Sequence, residues 1–170
     1  VIPSNVDLSQ AEVDLVYVDN REKVLKDALS KIRDKYDFIF MDCPPSLGLL
    51  TVNALTASDS IIIPIQCEYF ALVGLSQLMN TVRLIKKVLN PNIEIEGVLL
   101  TMKDNRSNLV SQVSDEIKKY FGSKVYNTYI PRNIRLAESP SHGKPILLYD
   151  NKSKGANAYK SLAEEFIKQQ

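Results

Sequence analysis

The feature that most limits what this chain can fold into is an alternation. Short unbroken apolar runs are separated by longer stretches whose apolar residues recur at helical spacing. Ser60-Ile61-Ile62-Ile63-Pro64-Ile65 and the run from about Ile95 to Met102 have the continuous hydrophobicity of strands covered on both faces. Phe38-Ile39-Phe40-Met41 reads the same way and ends at Asp42-Cys43-Pro44-Pro45, where two prolines forbid further ladder pairing. Ser9 is placed to cap a helix through about Val18, and Asn20 a second one with Val24, Leu25, Ala28, Leu29 and Ile32 on one face. A helix from about Leu49 to Ala57 precedes the second run. After it, Leu72, Leu75, Leu78, Met79, Val82, Ile85 and Leu89 mark a long helix that Asn90-Pro91 stops. Leu109, Val110, Val113, Ile117 and Phe121 mark another, followed by a short strand near Lys124 to Thr128. A last helix carries Tyr159, Leu162, Ala163, Phe166 and Ile167 as its apolar stripe, with Glu164, Glu165 and Lys168 outward.

Strands separated by helices of this length form parallel βαβ units, so the expected fold is α/β, a mostly parallel sheet with helices on both faces. A length of 170 residues, 45% of them hydrophobic and 24% charged, suits one domain over residues 1–170. In such sheets ligands gather beyond the carboxyl ends of the strands. That rule directs attention to Asp42, to Gln66-Cys67-Glu68, to Thr101-Met102-Lys103-Asp104 and to Ile130-Pro131-Arg132.

The composition excludes several chemistries. Cys43 and Cys67 have no CxxC spacing and His142 is the sole histidine, which argues against a disulfide framework or a zinc site and fits a reducing cytoplasm. Cys43 reads as a small buried filler, His142 as a turn residue in Ser141-His142-Gly143, and Glu68 equally as a helix start or a nucleotide or dimer contact, the last shared with Tyr69. No apolar run approaches the roughly 18 residues of a membrane span. The opening Val1-Ile2-Pro3 has no methionine and reads like the end of a strand running into a turn, so the expectation is a piece of something longer. Charge is uneven: residues 1–102 carry 9 basic and 13 acidic side chains, whereas residues 103–154 carry 10 basic and 5 acidic, a net +5. An excess of this kind suits a polyanion, although most charge runs are solvated faces.

An apolar strand ending in one aspartate has the form of a Walker B element, in which the carboxylate holds Mg²⁺ beside nucleotide phosphates, and Asp42 fits it. An aspartate there can equally cap the following turn. The surroundings decide more. Tyr36-Asp37-Phe38-Ile39-Phe40-Met41-Asp42-Cys43-Pro44-Pro45-Ser46-Leu47-Gly48, followed by Asn53-Ala54-Leu55, resembles the Walker B and switch segment of ParA and Soj-type partitioning ATPases. The likeness continues through Gln66-Cys67-Glu68-Tyr69-Phe70-Ala71-Leu72, Leu100-Thr101-Met102 and the segment Ile130-Pro131-Arg132-Asn133 to Lys144-Pro145. It implies a P-loop NTPase-like fold truncated at its N-terminus, ATP and Mg²⁺ as cofactors, and an ATP-dependent homodimer. It also implies non-specific DNA binding at the nucleoid and hydrolysis stimulated by a ParB-type partner. Carried over by position, Asp42 would be the Walker B carboxylate near Mg²⁺, Met102, Pro131 and Asn133 would line the adenine pocket, and Arg106 and Arg135 would meet DNA. An ion pair of Arg135 with Glu138 is the plainer reading of that arginine. A MinD-like membrane regulator and a non-catalytic module of the same fold are the alternatives. Against the first, the last helix lacks an amphipathic basic tail.

The family pattern breaks in one place. The phosphate loop GxxxxGK[ST] is missing, since Gly143-Lys144 is followed by Pro145 and has Glu138 where the first glycine belongs. No catalytic residue of the family's phosphate loop therefore lies within these residues, and enzymatic activity is expected of a longer parent. The chain by itself is expected to turn over no ATP. Hydrolysis by the purified 170 residues, lost in Asp42→Asn, would contradict this.

Overall fold

The structure is a computed structural model that describes residues 1–104 and 108–170, with the backbone alone at Tyr69. In chain order the elements are α1 (Ala11–Asp14), α2 (Val24–Ser30), α3 (Leu49–Ala57), β1 (Ser60–Gln66), α4 (Tyr69–Val88), β2 (Glu94–Thr101), α5 (Asn108–Phe121), α6 (Ile134–Glu138), α7 (Ile146–Tyr149) and α8 (Lys154–Lys168). β1 and β2 are neighbours in a parallel sheet, and the 20-residue α4 is the crossover that such a pair requires. The α/β architecture expected from the alternation is therefore present. Among the described residues no helix is long and apolar enough to cross a membrane. The chain divides into two compact units, Val1–Ile61 with Gln77–Glu94, and Ile62–Ser76 with Ile95–Gln170.

In the first unit, Leu55, Ile85 and Ile93 form a core against which Val52, Ile61 and Leu89 pack. Two buried asparagines hold the surrounding backbone. Asn53 on α3 accepts from the Leu25 N–H at 3.1 Å and donates to the carbonyls of Arg21 (2.8 Å) and Leu49 (3.0 Å), fixing the entry to α2. Asn90, just past α4, donates to the carbonyls of Leu55 and Ser58 at 2.9 and 2.7 Å, closing the end of α3. Each of these bonds contributes about 1 kcal/mol net, and each buried carbonyl left unpaired would cost more.

Several expected details differ in this unit. Asn5, rather than Ser9, caps the first turns, which begin as a 3₁₀ helix over Val6–Gln10; the Ser9 hydroxyl donates to the Val6 carbonyl. Asn20 takes a left-handed φ of 55° in a turn and does not cap α2, which starts four residues later at Val24. Asparagine tolerates that backbone because its short amide bonds locally. Phe38-Ile39-Phe40-Met41 lies outside any strand, with Phe40 70% exposed. An apolar run becomes a buried strand only where ladder neighbours exist, and the sheet and bridges of the described residues join β1, β2, Val125 and Pro131, none of them in this run.

In the second unit, Val98 (0% exposed) and Leu100 lie on one face of β2 and Leu99 on the other, all buried. Leu99 forms a core cluster with Tyr126 and Ile130, against which Ile62, Leu136, Ala158, Leu162 and Phe166 pack. On α5, Val113, Ser114 and Ile117 are the buried residues, and the Ser114 hydroxyl lies 3.4 Å from the Cys67 sulfur after β1. The expected strand near Lys124–Thr128 exists only as parallel bridges, Val98 to Val125 and Lys103 to Pro131. A 3₁₀ turn over Gly122–Lys124 and a proline without an N–H keep it from becoming a regular strand. The buried stripe of α8 runs through Gly155, Ala156, Ala158, Leu162 and Phe166; Tyr159, Ala163 and Ile167 of the expected stripe are exposed, Ile167 by 63%. Small residues at the start of α8 allow close approach to Leu136, which turns the helix away from the stripe its larger side chains suggest.

Gly97 lies on β2 where an added Cβ would run into the ring of Tyr126. The Tyr126 hydroxyl is itself buried without a hydrogen-bond partner among the described residues, and burial, then the charges of Glu96 and Glu165, pushes its pKa up to about 12. The ring has no wet side toward which to move. Gly97→Ala is therefore expected to destabilise the chain by about 1–3 kcal/mol, read as an earlier urea midpoint at unchanged m-value.

Candidate functional site

The carboxyl end of β2 is extended by backbone bonds to the segment that follows α5. Tyr126 N–H donates to Val98 (3.0 Å), Ile130 N–H to Leu100 (2.9 Å), Lys103 N–H to Ile130 (3.1 Å) and Arg132 N–H to Lys103 (3.2 Å). Of the residues singled out in the sequence, Pro131 lies within this ladder, while Met102 precedes Lys103 and Asn133 follows Arg132 at its edge. Met102 is half exposed and adopts φ 48°, a left-handed backbone that an unbranched residue reaches only at local cost. Pro131 sits in the bridge to Lys103, and the Lys103 ammonium lies 4.7 Å from the centre of the Tyr129 ring.

Asn133 stands immediately before α6 in extended conformation, and its carbonyl accepts from Leu136 and Ala137 at 3.2 and 3.4 Å. Its side chain makes no capping bond. Oδ1 is buried and has no hydrogen-bond partner among the described residues. An orphaned amide oxygen costs about 1–3 kcal/mol.

The segment leading to Asn133 is fastened by Glu165 of α8. Its carboxylate accepts from the Asn127 and Thr128 N–H groups at 2.7 and 2.8 Å and from the Asn127 amide at 3.1 Å. Burial alone would raise the Glu165 pKa, but the bonds from Thr128 and Asn127 outweigh it and hold the group below its ordinary value. Glu165 was expected to face outward. Its helical position allowed either side, and the two unpaired N–H groups it meets are not visible in any local pattern.

Arg135 lies on α6 with its side chain 54% exposed. Nη1 donates to Glu138 Oε2 at 2.9 Å, and Nε lies 3.6 Å from Asp150 Oδ2. The Tyr149 hydroxyl donates to the same Glu138 oxygen at 3.1 Å, and the His142 ring stacks on Tyr149 with centroids 4.9 Å apart. The bonds from Arg135 and then Tyr149 hold Glu138 below the usual carboxylate range, and Glu138 raises the Arg135 pKa in turn. Sequence reasoning found the Arg135–Glu138 pair and missed Tyr149 and Asp150, which lie beyond the next turn. His142 closes the 3₁₀ helix Ser139–His142 before Gly143 at φ 61°, a turn residue as expected.

In the other unit, Asp42 is exposed in an irregular segment after Met41. Cys43 is exposed as well, not buried filler; with no strand at 38–41 there is no sheet interior for it to fill. Partial desolvation of its sulfur, then the neighbouring Asp42 charge, pushes the thiol pKa up and keeps it protonated. Among the described residues no group of three or more His, Cys, Asp or Glu side chains is placed to hold a metal ion. Arg106 lies outside the described residues.

Residues 1–95 match the AAA domain family. Over 97% of its length the chain is 62% identical to the sporulation initiation inhibitor protein Soj of Bacillus subtilis, and over 99% it is 55% identical to the chromosome partitioning protein ParA of Myxococcus xanthus. It spans 65% and 59% of those two proteins, less than two thirds of either. Among solved structures it resembles the cobyrinic acid a,c-diamide synthase of Mycobacterium smegmatis with bound ADP and magnesium, at TM-score 0.77 and 35% identity over 95% of this chain and 59% of that one.

Glu165→Gln is expected to lower stability by about 1–2 kcal/mol at neutral pH by weakening the clasp on Asn127 and Thr128. Because the folded-state pKa is depressed, the wild-type advantage is present above the unfolded value near 4.5 and disappears as pH falls through the folded one. Thermal melts of both proteins from pH 7 to pH 3 should therefore converge in acid.

Proposed function

The chain belongs to the ParA/Soj-type family of partitioning ATPases, and on that footing we propose that it supplies the adenine-binding and DNA-facing part of an ATP-dependent DNA-segregation machine. The observation that carries the nucleotide half of this reading is the buried Oδ1 of Asn133, which has no hydrogen-bond partner among the described residues and lies just past the β2 ladder. An amide oxygen in that state fits an exocyclic amine, which adenine has at its six-position and guanine replaces with a carbonyl. Met102 and Pro131 would supply apolar surface for a flat base beside it. Magnesium bound to nucleotide neutralises phosphate charge, and the exposed Asp42 would hold it, through the metal's water shell.

Arg135 is the DNA contact of this proposal, together with Arg106, both inside the stretch with net +5. Such contacts bind any sequence through phosphates and weaken steeply with salt. Within the longer protein, ATP would bring two copies together on nucleoid DNA, and a ParB-type partner would stimulate hydrolysis and release. The exposed α8 side chains include Lys160, Glu164 and Lys168, a mixed set that does not favour an anionic membrane surface.

NMR suits the weak nucleotide binding expected without a phosphate loop. Millimolar ATP should shift the Met102 methyl and the Asn133 amide resonances, GTP should shift them far less, and Asn133→Ala should remove the difference. Equal shifts with both nucleotides would overturn the adenine assignment.

A further inference from the structure

Arg135 does not stand alone at the surface. Its guanidinium faces two carboxylates, Nη1 toward Glu138 at 2.9 Å and Nε toward Asp150 at 3.6 Å. Glu138 cannot swing away cheaply, because the Tyr149 hydroxyl holds its Oε2 from the other side and the His142 ring packs over Tyr149. The side chains are partly exposed, 54% for Arg135, 38% for Glu138 and 35% for Asp150, so anything that reaches the guanidinium also meets the field of both acids. With His142 neutral the cluster carries one positive and two negative charges, a net −1.

We propose that Glu138 and Asp150 restrain the phosphate affinity of Arg135, so that the strength of its contact with DNA is set by these two carboxylates. The inference rests on the reading of Arg135 as a DNA contact. A phosphate drawn to the guanidinium is repelled by the two acids that face it, and the repulsion is of the same order as the attraction. The carboxylates thus serve as a brake on a contact that would otherwise hold every phosphate it met, as befits a protein that must leave DNA again. They also fix the fork of donors in one orientation, so the bound geometry is reproducible although the binding is modest. A purely structural ion pair would tie α6 to α7 and leave DNA affinity untouched.

The test is fluorescence anisotropy with a random-sequence DNA duplex, titrated in salt, on five proteins: the unchanged chain, Glu138→Gln, Asp150→Asn, Arg135→Ala and the double variant Arg135→Ala with Glu138→Gln. Glutamine and asparagine keep an acceptor for Arg135 and remove one charge, and circular dichroism checks that each variant is folded. Glu138→Gln is expected to bind about threefold more tightly at low salt, with the gain shrinking as salt rises, and Asp150→Asn to behave likewise. The gain should vanish when Arg135 is alanine. If Arg135→Ala weakens binding while neither carboxylate variant tightens it, the restraint is overturned and the DNA contact stands. If the gain persists without Arg135, it is bulk charge and the restraint on Arg135 is overturned. If Arg135→Ala binds as the unchanged chain does, or none of the five binds, the contact itself falls and the inference falls with it.

Discussion

The ladder between β2 and the segment from Val125 to Arg132 is the constraint on which the second unit depends. Four backbone hydrogen bonds, between 2.9 and 3.2 Å, replace what a regular third strand would supply. They bury Tyr126 and Ile130 against Leu99, and they set Met102, Pro131 and Asn133 at one end of the sheet. Glu165 guards the ladder from the helix side by pairing the two N–H groups of Asn127 and Thr128. This end of the sheet is thus held by main-chain geometry first and by packing second, which is how a short, irregular segment can hold a buried amide oxygen at a fixed place.

The first unit uses a different device. Its buried polar side chains, Asn53 and Asn90, each bond two or three main-chain groups at the ends of helices, where carbonyls and N–H groups would otherwise go unpaired. Around them lie buried Leu55, Ile85 and Ile93. Well-satisfied polar staples of this kind specify the path of the chain.

Much of this was legible in the amino acids. The long helix α4, the helix Leu49–Ala57, the two runs that became β1 and β2, and the amphipathic α5 follow from periodicity because their apolar faces meet neighbours close in sequence. Met102, Pro131 and Asn133 came from resemblance combined with the rule for strand ends; the ladder runs through Lys103, Pro131 and Arg132, with Met102 and Asn133 next to it in sequence. What escaped has a common cause. Whether Phe38–Met41 becomes a strand depends on which chain lies beside it. Whether Ile167 or Gly155 faces inward depends on how closely Leu136 approaches. Whether Glu165 or Tyr149 is a surface decoration or a clamp depends on groups 11 to 38 residues away. Local patterns carry no information about such partners.

The exposed run at Phe38–Met41 has a consequence for how the chain behaves at high concentration. Phe38, Ile39 and Phe40 combine strong β-propensity with solvent access, the composition that nucleates intermolecular cross-strand stacking. Asp37 and Asp42 bracket the run and Pro44-Pro45 follows it, so charge repulsion and missing donors act as gatekeepers on either flank. The same aspartate proposed to attend a metal ion thereby has a second occupation, keeping the apolar segment before it from recruiting copies of itself.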